Sequence, residues 1–109
     1  MAKITGLNKV LKNFSGDALK DAKERDLTIV EACKNALLVA DEKSTGQDKY
    51  TAYKIATKLD TAKNHTVELT AEEITKIKEA IGKYMFPMVV GLVWDALEGV
   101  EDEPEELKK

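Results

Sequence analysis

Leu69-Thr70-Ala71-Glu72-Glu73-Ile74 is the stretch on which the reading of this chain turns. Thr70 stands where a helix wants its N-cap. Three residues on, Glu73 can reach back to the Thr70 amide, and Leu69 can close over Ile74. A hydroxyl cap of this kind contributes about 1 kcal/mol. The helix that follows sets Ile74, Ile77, Ile81 and Tyr84 on one stripe, at spacings of 3, 4 and 3. Glu72/Lys76 and Glu79/Lys83 form i,i+4 pairs on its wet face.

Downstream, Tyr84-Met85-Phe86-Pro87-Met88-Val89-Val90-Gly91-Leu92-Val93-Trp94 carries no charge. Pro87 pushes Phe86 out of the helical region and suits the first turn of a new helix. The spacing predicts two helices, 71–85 and 87–98, meeting at a sharp bend, with Gly99 as terminator. A helix apolar nearly all round must be covered on every side. It is expected either at the centre of the bundle or against another subunit, with Phe86, Val90, Gly91 and Trp94 as the candidate interface. Both versions bury Val90 and Trp94, and Gly91 would permit close approach of a second helix.

Upstream, Leu27-Thr28-Ile29-Val30-Glu31 opens a helix expected to run to about Asp41, with Ile29, Ala32, Cys33, Ala36, Leu37 and Ala40 on its buried face. Leu38 and Val39 widen that apolar surface. A Ser44…Gln47 capping box is expected to open a third helix, in which Ala52, Ile55, Ala56, Leu59 and Ala62 form the stripe. Asn64-His65 reads as a turn, and residues 66–69 as a short extended piece. Residues 1–25 leave two readings open. Ile4, Leu7, Val10, Leu11 and Phe14 fit one helical face, the preferred reading; Ser15-Gly16-Asp17 is a turn signal that Val10–Phe14 and Ala18–Asp21 could flank as a hairpin. The expectation is a mainly α protein, a small bundle of about four helices over residues 1–99, followed by an acidic, disordered segment at 100–109.

Composition narrows the function. With 34% charged residues and only 8 Pro plus Gly in 109, the chain is a strongly solvated, helix-rich one. A single cysteine forms no internal disulfide, no apolar run spans a bilayer, and the first ten residues lack a signal peptide's apolar core. A cytoplasmic protein with no membrane association is expected. Residues 1–94 hold 15 basic side chains against 13 acids, while 95–109 hold 7 acids against 2 lysines. Arg25 is the one arginine, and the lysines are interleaved with acids, so nucleic-acid binding is not expected. The acidic segment, or the scattered lysines, leaves open a DNA-mimic or DNA-associated role.

No Ser-His-Asp set, Gly-rich phosphate loop or CxxC occurs. His65 has no second histidine beside it, and Cys33 sits on an apolar face with no base nearby. Neither an enzyme, nor a metal site, nor a cofactor is expected. Tyr50, Tyr53, Lys54 and Lys58 form the one polar-aromatic cluster, a candidate contact set for a small anionic or nucleotide ligand; the competing reading places the tyrosines at the core margin with wet hydroxyls.

The stretch from Val67 to Gly99, through Ile77-Lys78, Ile81-Gly82-Lys83-Tyr84 and Pro87–Trp94, resembles the C-terminal half of small proteins common in tailed phages and prophages. Leu27-Thr28 and Asn35-Ala36-Leu37-Leu38 are similar to their middle part. The resemblance covers roughly residues 27–99 and rests on an apolar pattern with no catalytic motif. It implies a viral context, a hairpin-like N-terminal section and no assigned activity, although here that section is richer in lysine. Action through protein–protein contact, as a homo-oligomer or on a host or virion partner, is the expected function. A nucleotide-sequestering module is the alternative.

Overall fold

A computed structural model describes residues 2–21, 23–39 and 43–99. Six elements follow in order: β1 (Ala2–Ile4), α1 (Ile29–Leu37), α2 (Gly46–Asp60), β2 (Val67–Leu69), α3 (Ala71–Tyr84) and α4 (Pro87–Leu97). The mainly helical expectation holds, with four helices and one small antiparallel sheet among the described residues. The acidic segment 100–109 and Ala40 lie outside the described residues.

Local chemistry starts each helix. At α3 the Thr70 hydroxyl accepts from the Glu73 amide at 3.1 Å, and the Glu73 carboxylate accepts from the Thr70 amide at 2.9 Å. This is the capping box the sequence announced. Thr28 caps α1 by accepting from the Glu31 amide. At α2 the box is Thr45…Asp48 instead of Ser44…Gln47. An ionised carboxylate is a stronger acceptor than the Gln47 amide and complements the positive end of the helix. Phe86 is extended, and Pro87 takes the first helical position of α4, as expected.

The α1 helix is shorter than its apolar pattern suggests. It ends at Leu37, and the next amides tighten onto it, Leu38 onto the Lys34 carbonyl and Val39 onto the Ala36 carbonyl. Leu38 and Val39 therefore point outward, not into a second buried face.

Beyond residue 65 the chain straightens. In β2, Val67 and Leu69 are buried and Glu68 is exposed, the alternation a strand requires. Its partner is β1, in the register Ala2↔Leu69, Lys3↔Glu68 and Ile4↔Val67. Asn64 and His65 both take positive φ to make the turn before it.

The N-terminal segment overturns the preferred reading, because no helix forms among its described residues 2–21 and 23–28. The Leu11 amide donates to the Leu27 carbonyl, Leu27 donates to Leu19, and Leu19 donates to Leu11, each at 2.8 Å. Three leucines eight residues apart thus close a ring of backbone hydrogen bonds. The two intervening loops are built alike. Asn13 Oδ1 accepts from the amides of Ser15 and Asp17, and Asp21 Oδ1 accepts from those of Lys23 and Arg25. Gly16 and Glu24 occupy the equivalent left-handed position. Asx side chains that each hold two amides favour these loops over helix. The Leu7 and Leu11 amides are taken by the carbonyls of His65 and Leu27, so Ile4, Leu7 and Leu11 are buried without a helix. The turn signal at Ser15-Gly16-Asp17 holds, with Lys12 bridging Ala18 across it. Phe14 is a casualty of this: placed on the buried face by the helical reading, it stands at the loop tip, 97% exposed.

The hub of the bundle is α1. It packs against α2, α3 and α4, and its small residues Ala32, Cys33 and Ala36 are almost wholly buried. Small side chains at the crossings let three helices approach one short one. Ile77 and Ile81 of α3 and Val93 of α4 close the core with no exposure at all.

Candidate functional site

Three surfaces are worth building from their residues. The first is an open groove of about 1000 Å³ between the N-terminal segment and α4. Its floor is apolar, from Ile4, Leu11 and Ile29 below to Leu92 and Ala96 on α4. Lys3, Lys9 and Lys12 stand along its margin, all exposed, with Asp26 and Asp95 also on the wall. Asp26 is engaged by Lys20, so one of the two acids is already neutralised. Gly99 closes the groove at the end of α4. Sequence reading missed this site, since its walls come from residues 3–12, 18–29 and 92–99.

The second surface is α4. Its buried stripe is Val89, Val93 and Leu97, and Leu92 and Ala96 face the groove. Of the expected interface residues, Phe86, Val90 and Trp94 follow one another at four-residue spacing. They are not uniformly covered. Phe86 is 79% exposed, whereas Val90 and Trp94 are partly buried and pack against the core. Trp94 leans on α3: its indole N–H donates to the Lys78 carbonyl at 3.2 Å, and Lys78 Nζ lies 4.7 Å from the ring centroid. Lys78 also pairs with Glu98. The ring lies beside Gly82 on α3, where a Cβ would make ordinary contact with Trp94 Cζ2 at 3.4 Å. Gly91 is exposed and faces open space, so it mediates no helix crossing within the described residues. The centre of the bundle is α1 and not α4, because α4 spends only part of its apolar circumference inside.

Third is the polar-aromatic cluster on α2. Tyr50 and Tyr53 are more than half exposed, and Lys54 Nζ lies 5.9 Å from the Tyr50 centroid. Lys58 is drawn away, donating to the Glu73 carboxylate at 2.9 Å and so joining the α3 capping box. The tyrosines, Lys54 and Lys58 line neither the groove nor the smaller hollow between α1, α2 and α3.

The titratable groups are held for structure. Burial raises Glu73, but the Thr70 amide and the Lys58 ammonium outweigh it and leave the carboxyl below its ordinary value. The Arg25 amide leads the interactions that lower Asp21. Burial pushes the Cys33 thiol up to about 12, far from the thiolate a nucleophile needs. His65 sits exposed in its turn. Among the described residues no group of three His, Cys, Asp or Glu side chains could hold a metal ion, and no helix is long and apolar enough to cross a membrane.

Comparison of the chain with protein-family models, with curated proteins and with solved structures finds no match.

Proposed function

We propose that this protein is non-catalytic and works by protein–protein contact, first with further copies of itself. One observation carries the reading: the chain has two phenylalanines, Phe14 and Phe86, and the fold leaves both outside. Burying one such ring is worth about 1.5–3 kcal/mol, stabilisation that an isolated chain forgoes twice. Both rings are held out by backbone design. Phe14 rides the Asn13 loop, and Phe86 is the extended residue that Pro87 demands. Leu38 and Val39 add exposed apolar area at the end of α1. Aromatic residues presented on rigid supports are the usual anchors of protein interfaces. The resemblance of residues 27–99 to small phage and prophage proteins supports a viral setting, where the partner is another copy or a host or virion protein.

Sedimentation equilibrium tests this directly. The expected mass exceeds the 12.1 kDa of one chain and falls toward it in Phe86→Ser and Phe14→Ser, with helix content unchanged. A wild-type mass of one chain at millimolar concentration contradicts self-association. Saturable stabilisation by a nucleotide, abolished by Tyr50→Ala, would favour the ligand-binding alternative.

A further inference from the structure

The lysine-margined groove ends where the acidic segment begins. Gly99, in the left-handed conformation with φ +78, ends α4 and is itself part of the groove wall. The next residues are Val100-Glu101-Asp102-Glu103-Pro104-Glu105-Glu106. Five carboxylates thus follow within seven residues of a margin that presents Lys3, Lys9 and Lys12. We propose that the groove is the docking site of the chain's own acidic segment, with residues 101–106 as its occupant.

Three physical arguments converge. The charges are complementary: on the groove, Asp26 is paired with Lys20, and the exposed Lys3 and Lys12 stand along the margin with Asp95 on the wall. The reach is sufficient, because ten residues extend up to about 33 Å, against a molecular thickness of 24 Å. The apolar floor of Ile4, Leu92 and Ala96 suits Val100 and the ring of Pro104 better than water does. Tethering makes docking effectively intramolecular, so weak exposed ion pairs suffice where a separate peptide would dissociate. The docked segment would screen the groove until a stronger acidic ligand displaced it.

A nitroxide placed by Leu107→Cys in the full chain tests the proposal. Native Cys33 is buried and stays unlabelled. The expected result is selective loss of the amide signals of Thr5, Lys9, Val10 and Lys12, with Tyr50–Lys54 on α2 unaffected. The loss should fade in high salt, which leaves the protein otherwise unaltered. Combined Lys3→Glu, Lys9→Glu and Lys12→Glu should abolish it, and Lys12→Gln alone should weaken it. Signal loss spread evenly over the surface, or none at the groove, overturns the proposal. So does loss seen only when labelled and unlabelled isotopic chains are mixed, because the occupant would then be another copy's segment.

Discussion

Residues 7–28 and residues 71–97 bury their leucines, isoleucines and valines equally well, yet they satisfy their backbones in opposite ways. In α3 and α4 each interior amide finds its carbonyl four residues back, and the side-chain stripe follows from that geometry. In the N-terminal segment the partners of Leu11, Leu19 and Leu27 lie eight or sixteen residues away. Local closure is supplied by side chains, Asn13 and Asp21, each taking two amides of its own loop. Apolar spacing therefore says which residues go inside. Which carbonyl an amide meets is decided by the polar residues between them.

If both regions are fully folded parts of one core, their buried leucine and isoleucine should matter alike. Leu11→Ala and Ile77→Ala are each expected to cost about 3 kcal/mol, within the usual range for such truncations. Denaturant melts of the two variants check this. A near-neutral Leu11→Ala would mean that the N-terminal ring is an appendage. Trp94→Ala should fall at the low end of the range for a buried tryptophan, about 3 kcal/mol, since part of the side chain is exposed.

Next come the devices that start each region. Thr70→Ala and Asn13→Ala each remove a side chain that holds backbone amides, and each should cost about 1 kcal/mol. Their acidic neighbours sharpen the comparison through pH. Asp21 and Glu73 are both depressed by hydrogen bonds made only in the folded state. Their contribution is therefore complete above the unfolded carboxyl values and is lost as pH falls through the folded ones. Glu73→Gln should flatten that acid limb. Asp21→Asn should flatten it too while preserving the loop, because asparagine already does the same work at position 13. Carboxyl titrations followed by NMR would show both groups below the ordinary range. Smallest of all, Glu72→Ala on the exposed face of α3 should move stability by no more than about 0.5 kcal/mol.

Much of the helical region is legible from short-range chemistry. The Thr70…Glu73 box, the Phe86-Pro87 bend and the Val67–Leu69 alternation each need only neighbours within a few residues. The exposed α2 tyrosines also match the wet-hydroxyl reading. Harder to see is the octad repeat, although Leu11-Lys12-Asn13 and Leu19-Lys20-Asp21 stand in the sequence with Leu27 completing the series. A helical stripe through Ile4, Leu7, Val10, Leu11 and Phe14 competed for Leu11, and periodicity alone could not choose. The groove is less legible again. It exists because β1 pairs with β2 and so carries Lys3 and Ile4 up to α4, a long-range event that no local pattern encodes. Lys58, a candidate ligand contact in the sequence, pairs with Glu73 fifteen residues on, a partner no local pattern marks. Phe14 misled for the same reason as the helix that was expected around it.

Amide hydrogen exchange at Leu11, Leu19 and Leu27 tests the account most directly. A closed ring predicts that all three exchange slowly and together, with protection close to that of Ile77 and Ile81 in α3, while the amides of Lys9 and Gly16 report their own separate turns. Cross-hydrogen-bond couplings should run from Leu11 to Leu27, from Leu27 to Leu19 and from Leu19 to Leu11. Rapid, independent exchange of the three leucines, or sequential amide contacts of a continuous helix across residues 4–14, would contradict it.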